Sequence, residues 1–362
     1  MGFFKGLFGM KPLQPTATGR TAYSDLPDSS LKERLDHMKQ IPRTVEPPAP
    51  LALSVEVSAG APVLGLRVDV DTHEGMRDGV PRLCDLLREA GVKGTFYFAM
   101  GPDRSGRALF NVFLRPGFLS KMLKSGAQRI YSLRTVLSGT LLPSRPIATA
   151  FPEVARRCRE EGHETGVHAW DHRAWQDSLN RRHSNWAAEE LEKGFDAYAG
   201  LFGEKPRTYA APAWFCNNES LLYEENLGLL YASDCRGTDP FLPVIDVRVL
   251  KVPQVPATLP TLDEALGNTH RDAGAFFETV LGEIRPGEWP VLTVHAELEG
   301  GPFAPQFAAF LAAARRKGIQ VVTLRDLLAL RLRTGKPLPH CTMSYATVEG
   351  RHGLVSMQMF EV

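Results

Sequence analysis

Short apolar runs alternate with longer amphipathic stretches along most of the chain, beginning at Val63. The runs are rich in β-branched and aromatic residues, as buried strands are, whereas the longer stretches repeat apolar residues with the period of a helix. The predicted strands are Leu64–Val70, Thr95–Ala99, Thr165–His168, Thr208–Ala211, Leu230–Ser233, Val249–Val255, Val291–His295 and Gln320–Thr323. The predicted helices are Val80–Ala90, Pro152–Glu161, Ser184–Phe202, Ala273–Ile284 and Pro305–Lys317.

This alternation predicts an α/β fold with parallel strands and external helices. Seven or eight strand–helix units favour a distorted (β/α) barrel, and a doubly wound open sheet is the alternative. We expect residues 61–335 to form the barrel and residues 336–362 to pack on it. Residues 1–60 are rich in proline and are predicted to be an extension or linker.

Composition and charge argue against several classes of protein. Lys and Arg total 42 and Asp and Glu total 41, which disfavours a uniformly basic nucleic-acid-binding protein. No apolar run approaches the roughly 18 residues that a membrane-spanning helix needs. The five cysteines are scattered and form no Cys-x-x-Cys pair, which disfavours a disulfide framework or a thiolate zinc site and favours the cytoplasm.

One interval interrupts the alternation of strands and helices, and it precedes Pro152. From Arg104 to Arg145 it contains no Asp or Glu, and apolar residues are interleaved with its basic ones. An anionic membrane surface attracts such a segment, each cation contributing about 1 kcal/mol; the alternative is a helical subdomain with a solvated basic face. We expect a basic, apolar helical insert over residues 104–150. The residues predicted to dock on the membrane and lipid phosphate are Arg107, Arg115, Lys121, Lys124, Arg129 and Arg134.

Ionisable residues stand at the ends of several predicted strands. In a (β/α) barrel the carboxyl ends of the strands form one rim, where active sites lie. Any one such residue alone is more often structural, but the convergence of several on one rim indicates a functional site. The residues are Asp69, Asp71, His168, Asp234 and His295.

The spacing of His168 and His172 predicts a metal site, because residues four apart on one helical turn share a face and can bind one cation. Asp71 could supply a third ligand and leave one position open for water. Two nitrogens and one oxygen suit Zn²⁺, and also Fe²⁺, Mn²⁺ or Co²⁺. Asp69 would share a strand face with Asp71 and could take a proton from water, while His295 could protonate a leaving amine. This set of groups predicts hydrolysis of an amide.

Three motifs resemble those of the NodB-type polysaccharide deacetylases, which are metal-dependent enzymes on a distorted α/β barrel. The motifs are GLRVDVDT at 65–72, GHETGVHAWDH at 162–172 and VLTVHAELEG at 291–300. The resemblance implies that Asp69 is the general base and His295 the general acid. It also implies one divalent metal ion, Zn or Mn, Co or Fe. The implied metal ligands are Asp71, His168 and His172.

Within this family, the chain from about Val63 to Met357 most resembles members that remove a formyl group from a formamido sugar carried on a polyprenyl phosphate. The implied partners are this polyprenyl-phosphate-linked formamido sugar and the inner face of the cytoplasmic membrane, with no nucleic acid. The alternatives are a deacetylase of another N-acylated saccharide, a non-haem Fe(II) oxygenase with the same ligands, and a saccharide-binding module.

One family motif is not met. The usual Arg-x-Pro-Tyr segment, whose Arg orients the catalytic Asp, is AAPAW at 210–214. Possible substitutes are Arg236, beside Asp234, and Arg67 on the first strand. His163 is predicted to be structural, because it would face away from the site. Further candidates for contact with the substrate or support of the site are Glu297 and Glu299, as acids that line the cleft, and Trp214. A tryptophan is more often a core residue than a stacking surface for a sugar, but the rim position of Trp214 makes it the best candidate for stacking.

Overall fold

The computed structural model describes residues 51–58, 60–106, 138, 143–183, 185–351 and 353–360. Most of the predicted extension at residues 1–60 and most of the basic insert lie outside these ranges. The predicted docking residues also lie outside the described residues: Arg107, Arg115, Lys121, Lys124, Arg129 and Arg134. Membrane docking by the insert therefore stays a prediction.

The described ranges contain strands and helices in alternation. The strands are β1 (Val63–Val70), β2 (Thr95–Phe98), β3 (Glu164–Val167), β4 (Thr208–Tyr209), β5 (Tyr231–Ala232), β6 (Leu242–Ile245), β7 (Arg248–Val249), β8 (Val291–His295), β9 (Gln320–Val322), β10 (His340–Ala346) and β11 (Val355–Phe360). The α-helices are α1 (Val80–Ala90), α2 (Pro152–Glu160), α3 (His172–Ser178), α4 (Trp186–Phe202), α5 (Asn218–Glu224), α6 (Leu262–Ala265), α7 (Ala273–Glu283), α8 (Ala304–Arg316) and α9 (Leu324–Arg333). Short 3₁₀ turns cover Ala148–Ala150 and Pro212–Trp214, and a π-helical turn covers Gly75–Gly79.

The central sheet has seven parallel strands in the order β5-β4-β3-β2-β1-β8, with β9 paired to the start of β1. An irregular segment joins the two ends of this order. The amide of Val255 donates to the carbonyl of Ala232 in β5 at 2.8 Å, and the amide of Leu259 donates to that of Val291 in β8 at 3.2 Å. The sheet thus curves towards closure, which confirms the predicted distorted barrel.

The β1 strand and the α1 helix show why local sequence predicts these elements well. All eight residues of β1 are buried, as in a parallel strand that is covered on both faces. The α1 helix has Pro81 in its first turn, where a missing N–H costs nothing, and it ends at Gly91 with φ of 71°. Its observed bounds, Val80–Ala90, are those predicted from the apolar period.

The predicted strand Val249–Val255 is wrong as a single element. Only Val249 belongs to a strand, β7, which pairs antiparallel with β6. The following residues turn back to bridge β5 at Gln254. The β6 strand was missed because Pro243 interrupts its apolar run.

A second sheet of four strands, in the order β11-β10-β6-β7, contains the carboxyl-terminal strands. The β10 strand pairs antiparallel with β11 and parallel with β6. A further bridge joins Met357 of β11 to Arg236, which follows β5. These contacts place residues 340–351 and 353–360 against the barrel, and the predicted domain boundaries stay a prediction. No helix among the described residues is both long and apolar enough to cross a membrane.

Candidate metal and catalytic site

A cavity of about 260 Å³ lies at the carboxyl ends of the parallel strands. β1 delivers two aspartates to it, β3 leads into the two histidines, and β8 ends in a third histidine. The predicted site residues that line it are Asp69, Asp71, His168, His172, His295, Glu297 and Trp214.

Asp71, His168 and His172 form a group whose potential ligand atoms lie within 4.8 Å of one another. The Nε2 atom of His168 is 3.4 Å from Asp71 Oδ1, and the Nε2 atom of His172 is 3.2 Å from Asp71 Oδ2. The predicted helical turn is wrong in detail: His168 directly follows β3, and His172 begins α3. Ala169, with φ of 60°, turns the chain between them.

Orphaned polar atoms indicate that this group fits a divalent cation. Asp71 Oδ1 and His168 Nε2 are buried and have no hydrogen-bond partner among the described residues. The Nδ1 atom of His168 lies 2.6 Å from the carbonyl of Ala210, so Nδ1 carries the proton and Nε2 presents its lone pair. Burial, which outweighs the nearby Asp69 and Asp71, lowers the pKa of His168 to about 4 and keeps the imidazole neutral. Two imidazole nitrogens and a carboxylate suit a metal with an open position.

Arg67 holds Asp69 through two parallel hydrogen bonds of 2.7 and 2.8 Å. Burial alone would raise the pKa of Asp69, but the Arg67 guanidinium and His168 together outweigh burial and hold that pKa below its ordinary value. Arg236 does not contact this carboxylate; it donates to both carboxylate oxygens of Glu264. Of the two substitutes considered for the missing family Arg, Arg67 makes the contact with Asp69.

His295 lies next to Asp263, with 3.7 Å between His295 Nδ1 and Asp263 Oδ1. Burial lowers the pKa of His295, but Asp263, then Asp71 and Glu297, outweigh burial and raise it to about 9. Sequence reasoning missed Asp263, which lies on the short helix α6. The PTLDE segment contains a local signal for this helix, because its Thr-x-x-Glu spacing is typical of a helix start. In the structure Glu264 accepts a hydrogen bond from the amide of Thr261 and fixes the start of α6, which carries Asp263.

The two glutamates that follow His295 have different positions. Glu297 lines the cavity, and burial and Asp71 raise its pKa to about 8. A Cβ at Gly75 would lie 2.7 Å from Glu297 Oε2, so any larger residue there would displace the Glu297 carboxyl group. Glu299 is fully buried and accepts a hydrogen bond of 2.8 Å from the amide of His295. The prediction that Glu299 lines the cleft is therefore wrong.

The predicted stacking of a sugar on Trp214 is also wrong. Its side chain is 1% exposed, and its ring packs against the guanidinium groups of Arg236 at 3.8 Å and Arg351 at 4.5 Å. The residue sits at φ of 51° and follows Ala213 at φ of 59°, a strained turn of the kind found at functional sites. Trp214 thus borders the cavity and supports its wall.

Asp234 lies behind the cavity and does not line it. It is fully buried, accepts a hydrogen bond of 2.7 Å from the amide of Ala211, and receives a second of 2.7 Å from Gln254. Burial raises the pKa of Asp234 to about 6. A direct contact between Asp234 and a substrate is therefore ruled out, and its contact is to the backbone beside His168.

Arginines also border the cavity, each paired with an acid. Arg104 contacts Asp171 at 2.6 Å, and Arg173 contacts Asp177 at 2.6 Å. Arg351 reaches Glu264 at 3.4 Å. Sequence reasoning noted Arg104 only as the first cation of the insert, whereas the structure places it among the residues that line the cavity.

A family comparison agrees with these motifs. The sequence profile described as polysaccharide deacetylase matches residues 59–232. A crystal structure from Mycobacterium smegmatis assigned to the polysaccharide deacetylases is 19% identical, with a TM-score of 0.53, and covers 80% of this chain and 96% of that one. The latter similarity shows the fold.

The chain belongs to the polysaccharide deacetylase family, whose members are metal-dependent hydrolases of amide bonds. A relative from Shewanella sediminis (strain HAW-EB3) is 34% identical over 73% of this chain and 85% of its own length. A second relative, from Wigglesworthia glossinidia brevipalpis, is 30% identical over 78% of this chain and 98% of its own length. Both relatives carry the name "Probable 4-deoxy-4-formamido-L-arabinose-phosphoundecaprenol deformylase ArnD". The predicted family and its enzyme class are confirmed, against the oxygenase and binding-module alternatives.

Proposed function

We propose that the chain is a metal-dependent deformylase. Its substrate is 4-deoxy-4-formamido-L-arabinose-phosphoundecaprenol, and its product is the aminoarabinose lipid carrier used in lipid A modification. The names of the two relatives, which align along most of their length, support this substrate. The observation that carries the hydrolytic function is the meeting of a metal-ligand group with Asp69 and His295 in one cavity.

In this proposal the chain's own residues divide the proton transfers of formamide hydrolysis. A divalent cation on Asp71, His168 and His172 would polarise the formyl carbonyl and lower the pKa of a water molecule. Asp69, kept ionised by Arg67, accepts the proton of the attacking water. His295, kept protonated by Asp263, donates a proton to the departing nitrogen. The C–N bond breaks, and formate and the free amine leave.

The border of the cavity supports a phosphate-bearing substrate. Arg104, Arg173 and Arg351 all line the cavity, and guanidinium groups bind phosphate oxygens in bidentate geometry. The basic insert begins at Arg104, so in this proposal the same side of the chain meets the lipid phosphate and the membrane. The enzyme would then associate peripherally with the inner face of the cytoplasmic membrane.

The test is incubation of the purified protein with the lipid-linked formamido-arabinose, followed by measurement of formate and of the free amine. We expect stoichiometric release of both, and loss of both release and bound metal in His168→Ala. Release of acetate from an N-acetylated saccharide, without release of amine from the formamido substrate, would instead establish the deacetylase alternative.

A further inference from the structure

The peptide group between Ala210 and Ala211 forms hydrogen bonds through both its carbonyl and its N–H. Its carbonyl lies 2.6 Å from His168 Nδ1, and its N–H donates to Asp234 Oδ1 at 2.7 Å. Both atoms belong to one planar, conjugated unit. The carboxylate of Asp234 is therefore connected to the imidazole of His168 through a single peptide group.

Chains of hydrogen bonds polarise one another, and a negative charge on the N–H side increases electron density on the carbonyl oxygen. When the carbonyl that accepts the Nδ1 proton becomes a stronger acceptor, the opposite nitrogen of the ring, Nε2, becomes a better metal ligand. The Nε2 atom of His168 is the buried, unpartnered atom that faces Asp71. Both hydrogen bonds are buried, where such effects are strongest.

Hydrogen bonds hold the Asp234 carboxylate in one orientation and favour its ionised form, against burial, which raises its pKa to about 6. Gln254 donates to its second oxygen at 2.7 Å, so the carboxylate cannot rotate away from Ala211 without also losing this bond. The Gln254 side chain is itself held in place, because its carbonyl oxygen accepts a hydrogen bond of 3.0 Å from the backbone amide of Asp234. Next to the Asp234 carboxylate, burial and the carboxylate charge raise the pKa of Glu224 well above its ordinary value, so Glu224 is protonated.

We propose that Asp234 is a positioning residue, which acts through the 210–211 peptide group to fix the tautomer of His168 and to increase its affinity for the metal. This inference rests on the proposed metal site at Asp71, His168 and His172. It implies that the charge of Asp234 affects metal affinity, which a merely structural contact would not do.

The experiment measures the affinity of the metal-depleted full-length protein for Zn²⁺ and Co²⁺, together with thermal unfolding. Asp234→Asn keeps an acceptor for the Ala211 amide but removes the charge. We expect its affinity for both metals to fall by about 10- to 100-fold, the usual effect of losing such outer support. Asp234→Ala, which loses the hydrogen bond as well, should bind metal at least as weakly and unfold at a lower temperature.

Two variants separate charge from hydrogen bonding. In Asp234→Asn, the new amide faces the Gln254 amide, so the double variant with Gln254→Glu restores complementary bonds while it moves the charge off the Ala211 contact. We expect this double variant to regain thermal stability without regaining metal affinity. Glu224→Gln, which replaces a protonated acid by a neutral amide, should bind metal as the wild type does.

Wild-type metal affinity in Asp234→Asn, with or without Gln254→Glu, would overturn the inference. Recovery of affinity in the double variant would do so too, because it would make the contact structural. Since affinity is measured without substrate, these outcomes are independent of whether the chain deformylates its proposed substrate. If His168→Ala bound metal as the wild type does, the underlying metal site would fail instead.

Discussion

Arg67 and Asp69 lie two residues apart on β1, and the guanidinium of Arg67 donates to both carboxylate oxygens of Asp69. Alternate residues of a strand share a face, so one strand supplies both the proposed base and the cation that orients it. A third contact, from Arg67 to the carbonyl of Ser233 at 2.5 Å, ties the guanidinium to the end of β5. The pair is fully buried, which makes its geometry rigid and its loss costly.

We expect Arg67→Lys to lower kcat by about 10- to 100-fold with a smaller effect on KM, because lysine keeps the charge but cannot bind a carboxylate in bidentate fashion. Weaker hydrogen bonding also raises the pKa of Asp69 from its depressed value. Since Asp69 must be ionised to act as a base, the acid limb of the pH profile moves to higher pH. The pH dependence of kcat checks both effects.

Arg236→Lys is the matched control for Arg67→Lys. Arg236 is also fully buried and also packs on Trp214, but it pairs with Glu264 and not with Asp69. The control should lose thermal stability without moving the acid limb. An identical acid limb in the two lysine variants would show that Arg67 does not tune Asp69.

The raised pKa of His295 predicts an alkaline limit to turnover that depends on Asp263. His295 acts as an acid only while it is protonated, so activity should fall as the pH rises through the pKa of His295, which is about 9. A cation bound to Asp71 would offset the part of this pKa increase that Asp71 causes. Asp263→Asn removes the largest favourable interaction, and we expect the alkaline limb to move down by about one pH unit or more.

A pH–rate profile of Asp263→Asn beside the exposed control Asp78→Asn checks this effect. Asp78 pairs with Arg77 at the surface, so its loss should leave both limbs in place. If Asp263→Asn kept the wild-type alkaline limb, His295 would not be the group that titrates there.

Local sequence predicted the elements that depend on near neighbours, and the resemblance predicted the ligand set. The β8 strand has its predicted bounds, and Asp71, His168 and His172 meet as expected. Local sequence could not predict contacts between residues that are far apart in the chain. Asp263 reaches the site because the irregular segment before α6 returns across the barrel.

The burial of Trp214 also depends on distant contacts, which in this case remove a residue from the surface. Its position at the rim suggested an exposed ring, but its burial is set by residues that lie far away in the sequence. Arg351 packs on the ring, and Met357 and Val355 of β11 belong to the same hydrophobic cluster. No local pattern around Trp214 could have indicated that the carboxyl-terminal strand covers it.

The arginines at the cavity border predict selectivity for a phosphate-bearing substrate. We expect Arg104→Gln to raise KM for the lipid-linked substrate by about 10-fold, because a charge-assisted hydrogen bond contributes roughly 1.5 kcal/mol or more. KM for a formamido sugar without phosphate should not change. Arg77→Gln, which changes an arginine outside the cavity, is the control. Equal increases in KM for both substrates would contradict phosphate recognition by Arg104.

The acid-free composition of the insert predicts binding to anionic membranes. At about 1 kcal/mol for each cation near the leaflet, replacing Lys121, Lys124 and Arg129 with Gln should weaken binding to phosphatidylglycerol vesicles by roughly 100-fold. The matched control replaces the exposed cations Arg315, Arg316 and Lys317, which removes the same charge from the end of α8. Only the first variant should lose binding, and high salt should abolish the difference, because the attraction is screened. Equal loss in both variants would mean that net charge, and not the insert, governs the association.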